Sequence, residues 1–253
     1  MRSSNPNILL GIDIGGTGIK GALVNVKTGK LTKERFRIKT PHPAKPDAIA
    51  EVIEQIAKHF DYSGPTGITF PAIVKDGVIF SATNVDESWI NFDAAKLFQR
   101  HLGCPVSLVN DADAAGIAEM RFGAGVARRG VVILLTFGTG IGSAIFSDGV
   151  LLPNSEFGQL KIRGKDIELR ASERIREKRD ISFKKWAGIV SEFLEELEKL
   201  FSPELFLIGG GISKKADKFL PYLKARSHVP IEVAKMQNDA GIIGAATLAK
   251  IRS

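Results

Sequence analysis

A glycine-rich turn occurs twice in this chain, and each copy lies between two apolar, strand-like runs. Gly16-Thr17-Gly18-Ile19 is followed by Ala22-Leu23-Val24, and Gly138-Thr139-Gly140-Ile141 by Ala144-Ile145-Phe146. Runs at residues 8–14 and 131–136 lead into the turns, and Thr28-Gly29 and Asp148-Gly149 supply further turn signals after them. Short apolar runs bounded by glycine read as hairpin strands. The chain therefore reads as two related halves, each carrying a backbone loop that could grip phosphate. That arrangement points to phosphoryl transfer.

The rest of the chain alternates strand and helix signals. Strands are expected at 21–26, 31–38, 67–70, 78–80, 106–109 and 205–208. The prolines at 41, 43 and 46 make a stiff connector. Residues 47–60 carry apolar side chains at helical spacing, with Asp47 placed to cap. Further helices are expected at 111–121, 189–201 and 241–251, the last mostly apolar. Strands alternating with helices in two halves predict an α/β fold. The expected lobes are residues 1–109 and 110–239, with a cleft between them and the helix at 240–253 packing back on the first.

The spacing Gly16-x-Gly18-x-x-Gly21 matches a dinucleotide fingerprint, but that motif needs a helix directly after the loop. Here residues 22–29 read as a strand entering a turn, which disfavours a dehydrogenase. No glycine precedes Lys-Ser/Thr at the spacing of a Walker loop. What remains is a hairpin tip whose glycines permit positive φ and close backbone approach. Its N–H groups and Thr hydroxyls can donate to phosphate oxygens. Asp111 follows an apolar strand and opens a helix. It reads either as a general base or as a helix N-cap.

Charge adds a second clue. The formal net charge is +7, and residues 161–185 hold ten Lys or Arg against five Asp or Glu. This segment is either a site for a polyanion or a solvated helix face. The single cysteine, Cys104, excludes internal disulfides and a thiolate zinc cluster, and reads as a small buried residue. None of the four histidines has a second at ligand spacing, so no structural metal is expected. The short polar start and the lack of a long apolar run lead to an expectation of a cytoplasmic protein, without a membrane partner.

Residues 13–21 (Asp13-Ile14-Gly15-Gly16-Thr17-Gly18-Ile19-Lys20-Gly21) resemble the first phosphate motif of the hexokinase–actin superfamily. Residues 135–142 resemble its second, and Leu207-Ile208-Gly209-Gly210-Gly211-Ile212-Ser213 its adenosine motif. Within that superfamily the chain is similar to ROK-type sugar kinases, most of all the bacterial polyphosphate glucokinase branch. Asn84-Val85-Asp86, Asn110-Asp111-Ala112-Asp113, Gly164-Lys165-Asp166 and Arg170-Ala171-Ser172 extend that similarity over nearly the whole chain. The resemblance implies a two-lobed actin-like (ribonuclease H-like) fold and a homodimer. It also implies transfer from polyphosphate, with ATP as a further donor, to the 6-hydroxyl of glucose.

Residue by residue, the resemblance implies Asp111 as general base and Asn110 and Asn84 as sugar contacts. Glu156, Gln159 and Glu168 complete the sugar set. Gly15, Gly16, Thr17 and Gly18, with Gly138, Thr139 and Gly140, form the phosphate loops. Asp13 positions Mg²⁺ indirectly, and Lys20 reads equally as a phosphate contact or a solvated lysine. Gly209, Gly210 and Gly211 are the nucleotide contacts. Arg163, Lys165, Arg170, Arg174 and Lys178 are the candidates for polyphosphate. The family pattern Glu-x-Gly-His is broken at Gln159, which bonds hydroxyls but cannot titrate. That leaves the choice of sugar open.

Two other classes compete. ROK proteins include repressors with a helix-turn-helix domain, but only seven residues precede the first strand here, so nucleic acid is not an expected partner. A catalytically silent sensor of sugar or polyanion is motivated by Gln159 and the basic segment, and opposed by Asp13, Asp111 and both loops. An ATP-dependent kinase for mannose or an N-acetyl sugar is the alternative within kinases.

Overall fold

Both glycine turns join antiparallel strands in the computed structural model, which describes residues 5–82, 85–224 and 226–252. The chain forms two compact units, Met1–Ala118 with Asp239–Ser253, and Glu119–Asn238. The division expected after residue 109 falls instead after Ala118, so Asn110 and Asp111 belong to the first unit.

In the first unit, β1 (Ile8–Ile14) pairs with β2 (Ile19–Asn25) in a hairpin running from Ile8↔Asn25 to Ile14↔Ile19. The single strand expected at 31–38 is two short ones, β3 (Lys30–Leu31) and β4 (Phe36–Ile38), both paired with β2. Helix α1 (Pro46–His59) buries Ile49, Val52, Ile53 and Ile56. Each fully buried side chain of this kind contributes about 1.5–3 kcal/mol. Its N-cap is Lys45 rather than Asp47, because Pro46 occupies the first helical turn. Asp47 lies in that turn, where a carboxylate still favours the helix dipole.

Strand β5 (Thr66–Phe70) runs parallel to β1. A small antiparallel sheet follows, from β6 (Val74–Lys75), β7 (Val78–Ile79) and β8 (Phe92–Asp93). Helix α2 (Ala94–Leu102), absent from the expected elements, buries the short apolar stripe Ala94, Leu97 and Phe98. Its ends are nevertheless explicit, Asp93 accepting from the Lys96 amide and Gly103 closing it at φ 63°. Strand β9 (Val106–Asn110) pairs parallel with β5 and leads directly into α3 (Asp111–Phe122).

The second unit repeats this topology. β10 (Val131–Phe137) and β11 (Ile141–Ser147) form the hairpin, and β12 (Val150–Leu152) is the edge. A β13 (Lys161–Ile162)–β14 (Lys165–Asp166) ribbon precedes the short helices α4 (Glu168–Ala171) and α5 (Glu173–Lys178). Helix α6 (Phe183–Phe201) starts six residues earlier than its apolar pattern indicated, capped by Ser182. Its Trp186 packs on Phe137 and Phe219 and donates to the Ala171 carbonyl at 2.7 Å. Strand β15 (Leu205–Gly209) lies parallel to β10, followed by α7 (Ala216–Lys224) and β16 (Ile231–Val233). Sheet orders are β3-β2-β1-β5-β9 and β12-β11-β10-β15-β16.

The last helix, α8 (Ala240–Arg252), belongs to the first unit and packs on β1 and β5. A Cβ on Gly67 would overlap the Ala245 carbonyl, and one on Gly244 the Ala114 carbonyl. Backbones meet there without intervening side chains. Cys104 is buried beside the Thr66 hydroxyl, and burial pushes its thiol pKa up. No helix among the described residues is long and apolar enough to cross a membrane.

Candidate active site

The first-unit cluster is built where β1 runs out. Register sets Asp13 opposite Lys20 on β2 and beside Thr69 on β5. One Asp13 oxygen accepts the Thr69 hydroxyl at 2.8 Å, and the other lies 3.5 Å from the Lys20 ammonium. Lys20 is thus a half-buried partner of Asp13, not merely a solvated lysine.

The loop of residues 15–18 is closed by the Gly15 amide on the Gly18 carbonyl, 3.2 Å. Two residues absent from the sequence reading hold it from outside. The Thr40 hydroxyl donates to the Gly15 carbonyl at 2.5 Å, and the Arg37 guanidinium to the Thr17 carbonyl at 2.9 Å. Arg37 also lies so close over Gly18 that a Cβ there would overlap it. The loop glycines 15, 16, 18, 138 and 140 do not use positive φ. At Gly18 and Gly140, which meet Arg37 and Glu168, close approach rather than backbone handedness selects glycine. Around Gly16 and Gly138 nothing lies within 4 Å of an added Cβ, so that space is open to a ligand. The Gly16, Thr17 and Thr139 amides make no hydrogen bond among the described residues, as phosphate donors require.

At the end of β9, two adjacent polar residues divide two tasks. Asn110 is buried, its Oδ1 accepting the Ala112 amide at 2.8 Å and the Asp113 amide at 3.2 Å. Its Nδ2 donates to the Ala72 carbonyl at 3.1 Å. Asn110 is therefore the cap of α3. Asp111, the first helical residue, is exposed, with one oxygen accepting the Ala112 amide at 2.8 Å. The capping role that competed with catalysis for Asp111 falls to its neighbour. Asn84 lies outside the described residues.

The second-unit cluster gathers the three expected sugar contacts. Gly158 sits against the Ile141 carbonyl, and the Ser143 hydroxyl binds the Ser155 carbonyl at 2.8 Å and the Phe157 amide at 3.0 Å. This fixes the turn that carries Glu156 and Gln159. Burial, then the negative charge of Glu168, raises the Glu156 pKa, while a hydrogen bond from Gln159 opposes the rise. Glu168 accepts the Ile141 amide at 2.9 Å and lies against Gly140, at the base of the second loop. Gly138 is tied in turn to the backbone of α5 through the Arg174 amide at 3.1 Å. Gly210, at φ 81°, packs directly on Phe137, and Gly211 on Glu173, so this triplet borders the same strand end.

Part of the basic segment is spent on the protein itself. Arg163 and Arg170 both bind Glu192 of α6, at 2.7 and 3.1 Å, and Arg170 also reaches the Ile162 carbonyl. Lys165, Arg174 and Lys178 remain exposed. Arg163 and Arg170 are therefore committed to one carboxylate and are not free cations.

Raising the Glu156 pKa has a thermodynamic sign. Its folded-state pKa exceeds the unfolded one, so stability falls as pH rises from the ordinary glutamate value through the raised one. Above that window the ionised carboxylate costs the fold stability. Glu156→Gln is expected to equal or exceed the wild-type Tm at pH 7, with the gap closing in acid, while the sugar KM rises at least about tenfold. Calorimetry across pH with sugar kinetics checks both, and a lower Tm at pH 7 would make Glu156 a structural residue.

The ROK family model matches residues 9–156. The chain is 48% identical over 237 residues to a polyphosphate glucokinase of Mycobacterium tuberculosis, covering 93% of this chain and 89% of that one. A crystal structure of an inorganic polyphosphate/ATP-glucomannokinase from Arthrobacter sp. strain KM superposes with TM-score 0.91 at 47% identity. That match covers 97% of this chain and 99% of the other. A ROK family glucokinase from Streptomyces griseus, crystallised with glucose and AMPPNP, gives TM-score 0.79 at 25% identity, covering 96% and 99%.

Proposed function

The chain belongs to the ROK family, and from that premise we propose that it transfers a phosphoryl group from polyphosphate, and also from ATP, to the 6-hydroxyl of glucose. The observation that carries the chemistry is the division of labour at β9: Asn110 caps the helix, and Asp111 stands exposed beside it. The 48% identity to a polyphosphate glucokinase supports the choice of donor and acceptor.

In this reading Glu156, Gln159 and Glu168 accept and donate hydrogen bonds to the sugar hydroxyls. One carboxylate can take two vicinal O–H donors, which suits a pyranose ring. Asp111 accepts the proton of the 6-hydroxyl as that oxygen attacks the terminal phosphorus. Backbone amides at residues 16–17 and 139, with the Thr17 and Thr139 hydroxyls, hold the phosphate oxygens. The transition state is largely loose, so positioning and charge neutralisation supply most of the rate.

Asp13 is the residue that would hold Mg²⁺. No group of three or more His, Cys, Asp or Glu among the described residues could hold a metal by itself. A single carboxylate oriented by Thr69 fits an ion that keeps its waters and takes phosphate oxygens. Bound there, magnesium supplies neutralisation of the phosphate charge.

Identity to a glucomannokinase favours mannose as a second acceptor. The test is sugar phosphorylation by the purified protein with Mg²⁺, comparing polyphosphate and ATP across glucose, mannose and N-acetyl sugars. Glucose 6-phosphate from both donors is expected. Sugar binding without turnover on any donor would replace this reading with a silent sensor.

A further inference from the structure

We propose that Arg37 and Lys39, continuing from Lys20, form a track on the first unit that holds the non-transferred phosphates of a long polyphosphate chain. The inference rests on the donor assigned above and adds where that donor lies.

Four observations lead to it. From residue 27 to residue 45 the chain carries seven Lys or Arg and one acid, Glu34, a higher net positive charge per residue than residues 161–185 with their five acids. Within it Arg35 is committed to Asp239 at 2.8 Å. Neither Arg37 nor Lys39 is paired with a carboxylate among the described residues, and both side chains are exposed. Arg163 and Arg170, in contrast, share Glu192.

Position matters as much as charge. Lys20 and Arg37 are register partners across β2 and β4, so their side chains leave the same face of the sheet. Strand β4 runs toward the phosphate loop, and the chain stays beside it, since Thr40 binds the Gly15 carbonyl. Lys39 lies between these two anchors. Arg37 touches the loop itself through Thr17, so a phosphate held by residues 16–17 has cations immediately beyond it. A linear polymer with about one negative charge per unit gains from such a row through counterion release, as a nucleic-acid backbone does. A nucleotide, whose phosphates end after three, gains much less.

The experiment uses the full chain in two variants, Arg37→Gln/Lys39→Gln and Lys39→Glu, the second leaving the loop contact of Arg37 intact. Donors are long-chain polyphosphate, tripolyphosphate and ATP at several salt concentrations, with direct binding of long polyphosphate measured in parallel. In the double variant the long-chain KM and Kd should rise about tenfold, and the salt slope of log Kd should flatten by about 0.7 for each cation removed. In Lys39→Glu the long-chain KM should rise while the tripolyphosphate and ATP values stay within about twofold. If long polyphosphate binds but is not a donor, and binding is lost in the variants, the track stands and the donor assignment fails. If it is a donor and the variants behave as wild type, the donor assignment stands and the track fails. Equal rises for all three donors would also overturn the track, by reducing these residues to support of the loop. Wild-type protein that neither binds nor uses polyphosphate overturns both.

Discussion

Asp111→Asn is expected to lower kcat for sugar phosphorylation by about 10²–10⁴-fold, with the sugar KM within a few fold and the Tm unchanged. The substitution keeps the shape of the side chain and an oxygen that can still accept the Ala112 amide. Helix α3 keeps its cap because that role belongs to Asn110. What is lost is the charged carboxylate that can take a proton. A 6-hydroxyl that must attack without a base does so slowly, whichever donor supplies the phosphorus. Steady-state kinetics and calorimetry on the same preparation check the split. Unchanged kcat would remove Asp111 from the chemistry. A loss of activity tracking a loss of Tm would make it a structural residue after all.

The largest expected effect on folding lies far from that chemistry, at Gly67→Ala. Gly67 sits inside β5, between β1 and β9, and an added methyl would overlap the Ala245 carbonyl of α8. A flexible side chain could move aside, but this neighbour is helix backbone. Overpacking of a core costs typically about 1–3 kcal/mol and more where the neighbours cannot relax. A loss of about 3 kcal/mol would lower the midpoint of the first unit by roughly 6–12 °C. Gly16→Ala is the control for stability, because nothing lies within 4 Å of its added methyl, and it should melt with the wild type. Thermal unfolding of the two variants decides the matter, and a Gly67→Ala protein as stable as the control would overturn the account of how α8 is seated.

Contacts like these separate what was readable from what was not. The hairpins were readable because alternating apolar residues and paired glycines are local signals, and the register observed at Ile8↔Asn25 and Val131↔Ser147 follows from them. Helix α1 was readable from an apolar stripe running over 14 residues, whereas α2 offered only nine residues and a three-residue buried stripe between its caps. Of the two freedoms glycine offers the loops, positive φ is not used, whereas close approach is, at Gly18 against Arg37 and at Gly140 against Glu168.

The site was legible as a set of residue types and not as a division of roles. Asn110 and Asp111 are adjacent and chemically alike, and only the direction in which α3 leaves β9 decides which caps it and which is exposed. Glu168 is 27 residues from the Ile141 amide it accepts, and Arg37 is 20 from the Thr17 carbonyl it holds. No local pattern encodes such pairs. Charge behaved likewise, since the sum along residues 161–185 was plain and the pairing of Arg163 and Arg170 with Glu192 of a later helix was not. By itself the sequence determined the repeated α/β halves, the two glycine-rich hairpin loops and the family, because periodicity, glycine spacing and motif order are properties of neighbours along the chain. Tertiary structure alone decided which polar groups are spent on the protein and which remain for a ligand, because hydrogen bonds and ion pairs form between neighbours in space.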